Sequence, residues 1–340
     1  MSISPQSGRP ARGRRVTSAD VAGLAGVSRT TVSDVLNGQR IARYHPATVQ
    51  RVRGAAAELG YVRSAAGRAL AMGRSDFIVV VVPYVTYMRF QDVIEALSGH
   101  IEEFGFSAVV HFRGPKEEDG GTSRLLTLVE TLRPAGVVDL GGLTPKEAAF
   151  IEKTCCSVLP QDKPADPNVW IGLLQAEHLH SRGFRQLAYA FLSDARDDPY
   201  GQTRAASVAD YCEAEGLPVP LRLHVPIEPE GAREAVRSLL ERTDGGRLGI
   251  ACHNDEVAIA VVFAAQRLGL ELPRDAGVIG VEGGDLGQAM APRLTTVLGD
   301  AAAAVHHVRF SLGRTYGGPV PTGETPPLDQ VFRVLPGETT

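Results

Sequence analysis

The chain has 340 residues, 44% hydrophobic and 22% charged, with four cysteines and a formal net charge of −4. This is the composition of an ordinary globular protein of about two domains; it excludes wholesale disorder, a collagen-like repeat and a disulfide scaffold. The longest apolar runs, 77–83 and 257–265, fall well short of the ~18 residues of a membrane span, and the opening MSISPQSGRPARGRR lacks the apolar segment of a secretory signal, so a reducing cytoplasm is the expected compartment.

The charge is unevenly placed. Residues 1–75 hold twelve arginines and no lysine against three carboxylates, a formal +9, which leaves −13 on the rest of the chain. A basic head on an acidic body suggests that the head meets a polyanion; a solvated arm is the plainer alternative.

In chain order, 1–15 is an Arg-, Gly-, Pro- and Ser-rich arm with no apolar period, expected to be disordered. Thr17, with Asp20 three residues on, starts a helix whose apolar face is Val21, Ala22, Leu24 and Ala25. Gly26 breaks it and Ser28 caps a second helix over 29–36, which Asn37-Gly38 stops. Helix, short glycine turn, helix is the helix-turn-helix pattern. A third helix is expected over 46–59, with Pro46 in its first turn and Gly60 at its end.

The string TSADVAGLAGVSRTTVSDVLNG, followed by TVQRVRGAAAELGYVRSAAGRALAMGRS, resembles the DNA-binding head of the LacI/GalR family of bacterial repressors. A recognition helix sets its N-terminal residues against base edges in the major groove. Here those are Arg29 and Thr30, with Ser33 and Asp34 one turn on, while Ser28 and Thr31 suit phosphates; Thr17, Asn37 and Arg68 complete the candidate contacts. Asp34 departs from the family, which often has a basic residue there; a carboxylate could accept from a cytosine amine or merely orient Arg29. Residues 64–72 resemble the family's hinge helix, in which a leucine, here Leu70, wedges into the minor groove of a bent duplex. Gly67 stands where alanine is more common and costs helix propensity, so the hinge is expected to order only on DNA. The domain plan is an arm (1–15), a helix-turn-helix domain (16–63), a hinge (64–75) and a core (76–340).

The core alternates strands (77–83, 107–112, 135–140, 156–159, 186–191, 248–252, 277–281) with helices (92–104, 123–132, 145–154, 173–182, 203–215, 231–242, 255–268), an α/β pattern with parallel sheets. Its size predicts two lobes. AEHLHSRGFRQLAYA, NDEVAIAVVFAAQRLGLELPRDAGVIGVEG and APRLTTV resemble segments of the family's two-lobed, periplasmic-binding-protein-like effector core, the last as a crossover back to the first lobe. The resemblance implies a small-molecule effector, sugar-like or otherwise, between the lobes. It points to Arg204, Asn254, Asp255 and Glu282, and to Trp170 where the family often has aspartate. Ser207 replaces a usual glycine, and these departures point away from a standard sugar effector. Tyr84, Tyr87 and Phe90 follow the first strand, at the cleft by topology.

No cofactor or metal site is expected. His306-His307 are adjacent on a helix and face different ways, Cys155-Cys156 lacks ligand partners, and no nucleophile, base or carboxylate pair marks an enzyme. The sequence thus predicts a dimeric DNA-binding regulator, most simply a repressor, on a pseudo-palindromic operator. The alternative is a small-molecule-binding protein with an incidental basic arm.

Overall fold

The computed structural model describes residues 16–36, 38, 40–61, 73–83, 90–114, 123–161, 165–193, 200–243, 245–318 and 326–340. The arm, hinge residues 64–72 with Arg68 and Leu70, Asn37, Tyr84 and Tyr87 lie outside them, as does the side chain of Phe90. The chain divides into two compact units, one ending at Ser75 and one running from Asp76 to Thr340.

The first unit holds α1 (Ser18–Ala25), α2 (Arg29–Leu36), a 3-10 turn (Ile41–Arg43) and α3 (Pro46–Glu58). At the start of α1, the Asp20 carboxylate accepts both the Thr17 N–H (2.8 Å) and the Thr17 hydroxyl (2.7 Å). Gly26 closes α1 at φ 63, the left-handed conformation that a side chain would strain. One small core, built on Val21, Ala25, Val32, Val35, Val52 and Ala56, holds the three helices together.

The second unit contains two sheets. The smaller has strand order β2-β1-β3-β4, all parallel, from β1 (Phe77–Val82), β2 (Ser107–Phe112), β3 (Gly136–Asp139) and β4 (Ser157–Leu159). The unbroken apolar run of β1 is explained by burial on both faces. Ile78, Val80 and Val82 enter one cluster, with Leu97 and Ile101 of α4 (Phe90–Glu103); Val79 and Val81 enter another, with Leu125 and Val129 of α5 (Arg124–Leu132) and Ile151 of α6 (Pro145–Thr154).

The larger sheet has order β10-β9-β8-β7-β5-β6. Its strands are β5 (Gln186–Leu192), β6 (Leu221–Val225), β7 (Leu248–Cys252), β8 (Ala276–Val281), β9 (Thr295–Gly299) and β10 (Phe332–Leu335). Its helices are α7 (Pro167–Ser181), α8 (Tyr200–Ala214), α9 (Pro229–Leu240), α10 (Asp255–Arg267) and the short α11 (Asp285–Ala289). The LTTV segment, expected as a crossover, is strand β9 of this sheet, and β10 joins it antiparallel. The return to the smaller lobe follows, through α12 (Ala301–Ala304) and α13 (His306–Tyr316), whose Val308 and Leu312 pack in the cluster of Ile78 and Leu97. A last short helix, α14 (Leu328–Val331), precedes β10.

Helices α7 and α8 approach closely at Gly172, where an added Cβ would lie 2.4 Å from the Arg204 carbonyl oxygen and 2.9 Å from the Ser207 Cβ. The backbone atom cannot swing away as a long side chain would. Gly172→Ala is therefore expected to destabilise the protein by about 1–3 kcal/mol in urea unfolding; an unchanged midpoint would contradict this helix packing.

Candidate nucleic-acid interface and effector site

Helix α2 divides cleanly into a buried and an exposed face. Val32 and Val35 are buried in the head's core, while Arg29, Thr30 and Ser33 are exposed. Ser28 Oγ accepts the Thr31 N–H (3.1 Å) and lies 2.9 Å from Thr31 Oγ1, so the helix start is capped by a hydroxyl pair. Among the described residues, neither Arg29 nor Thr30 has a side-chain partner, so both stand open at the helix N-terminus. Asp34 is half-buried and accepts a 2.7 Å hydrogen bond from the Tyr44 hydroxyl. Tyr44 carries no sequence signal of its own; the turn that delivers it does not follow from periodicity.

In the core, Arg204 sits on α8 and is 3% exposed. Its Nε donates to Asn168 Oδ1 (2.9 Å), its Nη1 donates to the His253 carbonyl, and its guanidinium lies 5.7 Å from the centre of the Tyr200 ring. Burying a guanidinium is tolerable only with such partners. Asn168, not Trp170, is the residue of α7 that meets Arg204. Trp170 packs against the apolar cluster of α7 and α8, and its buried Nε1 has no hydrogen-bond partner among the described residues. Sequence reasoning missed Asn168 because it began the helix at 173. The signal was present in Asp166-Pro167, where Asp166 caps α7 by accepting the Asn168 N–H and proline fills its first position.

Asn254 and Asp255 open α10. The Asn254 side chain caps it by accepting the Val257 N–H (3.0 Å). Asp255 Oδ1 accepts the Thr296 hydroxyl (2.6 Å) and Oδ2 accepts the Gly284 N–H (2.7 Å), stapling α10 to β9 and to the loop after β8. Glu282, in that loop, is 1% exposed and holds φ 117, a conformation that strains a side-chain-bearing residue. Arg204, Asn168, Tyr200 and the His253 backbone thus form one group, and Asn254, Asp255 and Glu282 lie at the C-terminal ends of β7 and β8, where open α/β sheets bind ligands. Tyr200, also missed, reaches the other lobe: its hydroxyl donates to the Leu140 carbonyl just after β3 (2.6 Å).

Burial raises the Asp255 pKa from 3.8 to about 6, against the opposing hydrogen bonds led by that of Thr296. Since the folded value lies above the unfolded one, the protonated form stabilises the fold below pH 3.8, and that contribution is lost as pH rises through about 6. Thr296→Val removes a donor to the ionised form. It is expected to cost about 1–2 kcal/mol more near pH 7.5 than near pH 5 in urea unfolding; an equal cost at both would refute an ionised Asp255 at neutral pH.

Residues 17–64 match the family model described as bacterial regulatory proteins, lacI family, and residues 176–324 match a periplasmic binding protein-like domain. The chain is 29% identical over 316 residues to the HTH-type transcriptional regulator GntR of Pseudomonas aeruginosa, covering 87% of this chain and 88% of that one. It is 26% identical over 300 residues to the HTH-type transcriptional regulator DegA of Bacillus subtilis, covering 83% and 86%. The Lac repressor dimer bound to operator and the anti-inducer ONPF shares the fold, with a TM-score of 0.72 and 22% identity over 96% of this chain and 99% of that one. A CelR–cellobiose complex does so with a TM-score of 0.59 and 21% identity over 96% and 100%. The three-helix head, the two-lobed core and these matches make the chain a member of the LacI/GalR family of helix-turn-helix transcriptional regulators.

Proposed function

We propose that this regulator is a homodimeric repressor that binds a pseudo-palindromic operator, one α2 per half-site in the major groove, and that a small molecule held between the core lobes sets its affinity. The observation that carries the reading is the pair Arg29 and Thr30, open to solvent at the N-terminus of α2 on a head of formal charge +9. Arg29 suits the two acceptors of a guanine edge and Thr30 a thymine methyl or an edge acceptor, with Ser33 a turn further on. Ser28, Thr31, Thr17 and Asn37 serve phosphates, and Arg68 and Leu70 of the hinge segment serve the minor groove. The relatives named above are regulators, not enzymes. No helix among the described residues is long and apolar enough to cross a membrane; binding to genomic DNA, as proposed, requires a cytoplasmic protein that joins the nucleoid when bound.

In the core, Arg204 and Glu282 supply opposite charge at the cleft, Tyr200 a hydroxyl and a ring face, and residues 84–90 the aromatic side chains Tyr84, Tyr87 and Phe90. A ligand that favours one lobe arrangement shifts the operator-binding equilibrium by its differential affinity, and operator shifts ligand affinity equally. The second copy is argued from two exposed apolar side chains, Phe263 on α10 (51% exposed) and Leu286 on α11 (58%). Their segments are tied by the Gln266 Nε2 donor to the Ala291 carbonyl. In this reading the second copy covers both side chains, joining them into one apolar patch.

Genomic fragments retained by the full chain would identify the operator. On it, Arg29→Ala is expected to cost about 1–3 kcal/mol and to flatten preference at one base pair per half-site; a preference profile identical to the wild type would refute the groove assignment. Replacing both Phe263 and Leu286 with glutamate is expected to yield a monomer by sedimentation, with weakened operator binding. A persistent dimer would place the interface elsewhere.

A further inference from the structure

Asp34 is out of place by two electrostatic criteria. It lies in the last half of α2 (Arg29–Leu36), where the helix dipole disfavours negative charge, and on a head that must approach phosphates. The structure shows what it does instead. The Tyr44 hydroxyl donates to Asp34 Oδ2 at 2.7 Å, while the Tyr44 ring packs against the head's core. One turn before Asp34 on the same helix, Thr31 is paired with the Ser28 cap. The bond to Asp34, and after it partial burial, raises the phenol pKa above 10.0, so Tyr44 remains a donor at physiological pH.

Tyr44 closes the connection from α2 to α3. Arg40 holds φ 52, the Arg43 N–H donates to the Arg40 carbonyl (2.9 Å), and the Tyr44 N–H donates to that of Ile41 (2.9 Å). Next, the His45 side chain accepts the Ala47 N–H at the start of α3. The turn is therefore pinned to α3 by its following residue and to α2 by the Tyr44–Asp34 bond. It carries two exposed arginines, Arg40 and Arg43, that have no ion-pair partner among the described residues.

We propose that Asp34 and Tyr44 are positioning residues: their hydrogen bond locks the 40–44 turn to the recognition helix and holds Arg40 and Arg43 as a second set of DNA phosphate contacts. Asp34 then reads no base. This rests on the reading that α2 enters the major groove, which Arg29→Ala tests separately.

The test uses the full chain and the duplex that it selects from a randomised pool. Tyr44→Phe is expected to weaken binding roughly three- to tenfold, but to add nothing in an Asp34→Ala background, because the bond is already gone. The slope of log affinity against log salt falls in magnitude by about 1–2 in Tyr44→Phe, as it does in the Arg40→Ala/Arg43→Ala double variant, since each lost phosphate contact removes ~0.9. Asp34→Asn keeps an acceptor for the hydroxyl and sheds the charge, so it binds at least as tightly as the wild type. The preferred base at every position is unchanged in all of these. A new base preference in Asp34→Ala or Asp34→Asn but not in Tyr44→Phe would overturn the proposal in favour of direct reading. So would an unaltered salt slope, or a Tyr44→Phe penalty that persists without Asp34. A wild-type chain that selects no sequence, or an Arg29→Ala variant with the wild-type profile, would remove the groove reading itself, and this proposal with it.

Discussion

A helix that enters a DNA groove has only its other face with which to hold itself to its own domain. In this head that face is narrow. Val32 and Val35 are its fully buried side chains, packed on Val21, Ala25, Val52 and Ala56. Burial of a few side chains of this size contributes only some kilocalories per mole, so caps and turns carry the rest: Asp20 on the Thr17 N–H and hydroxyl, Gly26 in the left-handed conformation, and Ser28 on the Thr31 N–H. These groups belong to the frame that fixes the two helices. The exposed N-terminal residues of α2 are left to make contacts outside the protein.

The core solves a different problem, which is to keep polar groups at a buried strand edge without paying fully for their desolvation. Arg204 is satisfied by Asn168 and a main-chain carbonyl, and Asp255 by a hydroxyl and a main-chain amide. Both are anchored by parts of the fold distant in sequence, so the chemistry of this edge is sensitive to how α7, α8, α10 and β9 pack. Tyr200 adds a hydrogen bond from the larger lobe to the carbonyl of Leu140 in the smaller. Any relative movement of the lobes must break or preserve that bond, which makes it a natural element for a ligand to bias.

Much of this was legible in the sequence, for local reasons. The head's helix boundaries follow from capping residues and glycines, and β1 from an apolar run that only a doubly covered strand needs. What was missed is tertiary or marginal. The strand Leu221–Val225 alternates leucine or valine with Arg222 and His224, as a sheet edge does, yet is short and charged. Strand Phe332–Leu335 has little periodicity of its own and is defined by its antiparallel pairing with Thr296–Gly299. Asn168 and Tyr200 act through residues 36 and 60 positions away, a relation that no local pattern encodes. Asp34 departs from the family pattern, and the partner that explains it, Tyr44, lies ten residues on across a turn.

On this account the basic head confers sequence-specific DNA binding on an otherwise acidic chain. The most direct test is competition binding of the selected duplex by the full chain and by a chain lacking residues 1–75, each against excess nonspecific DNA. The full chain should retain the selected duplex, and retention should fall steeply with salt, while the truncated chain retains none. Equal retention by both would show that the DNA-binding surface lies outside residues 1–75.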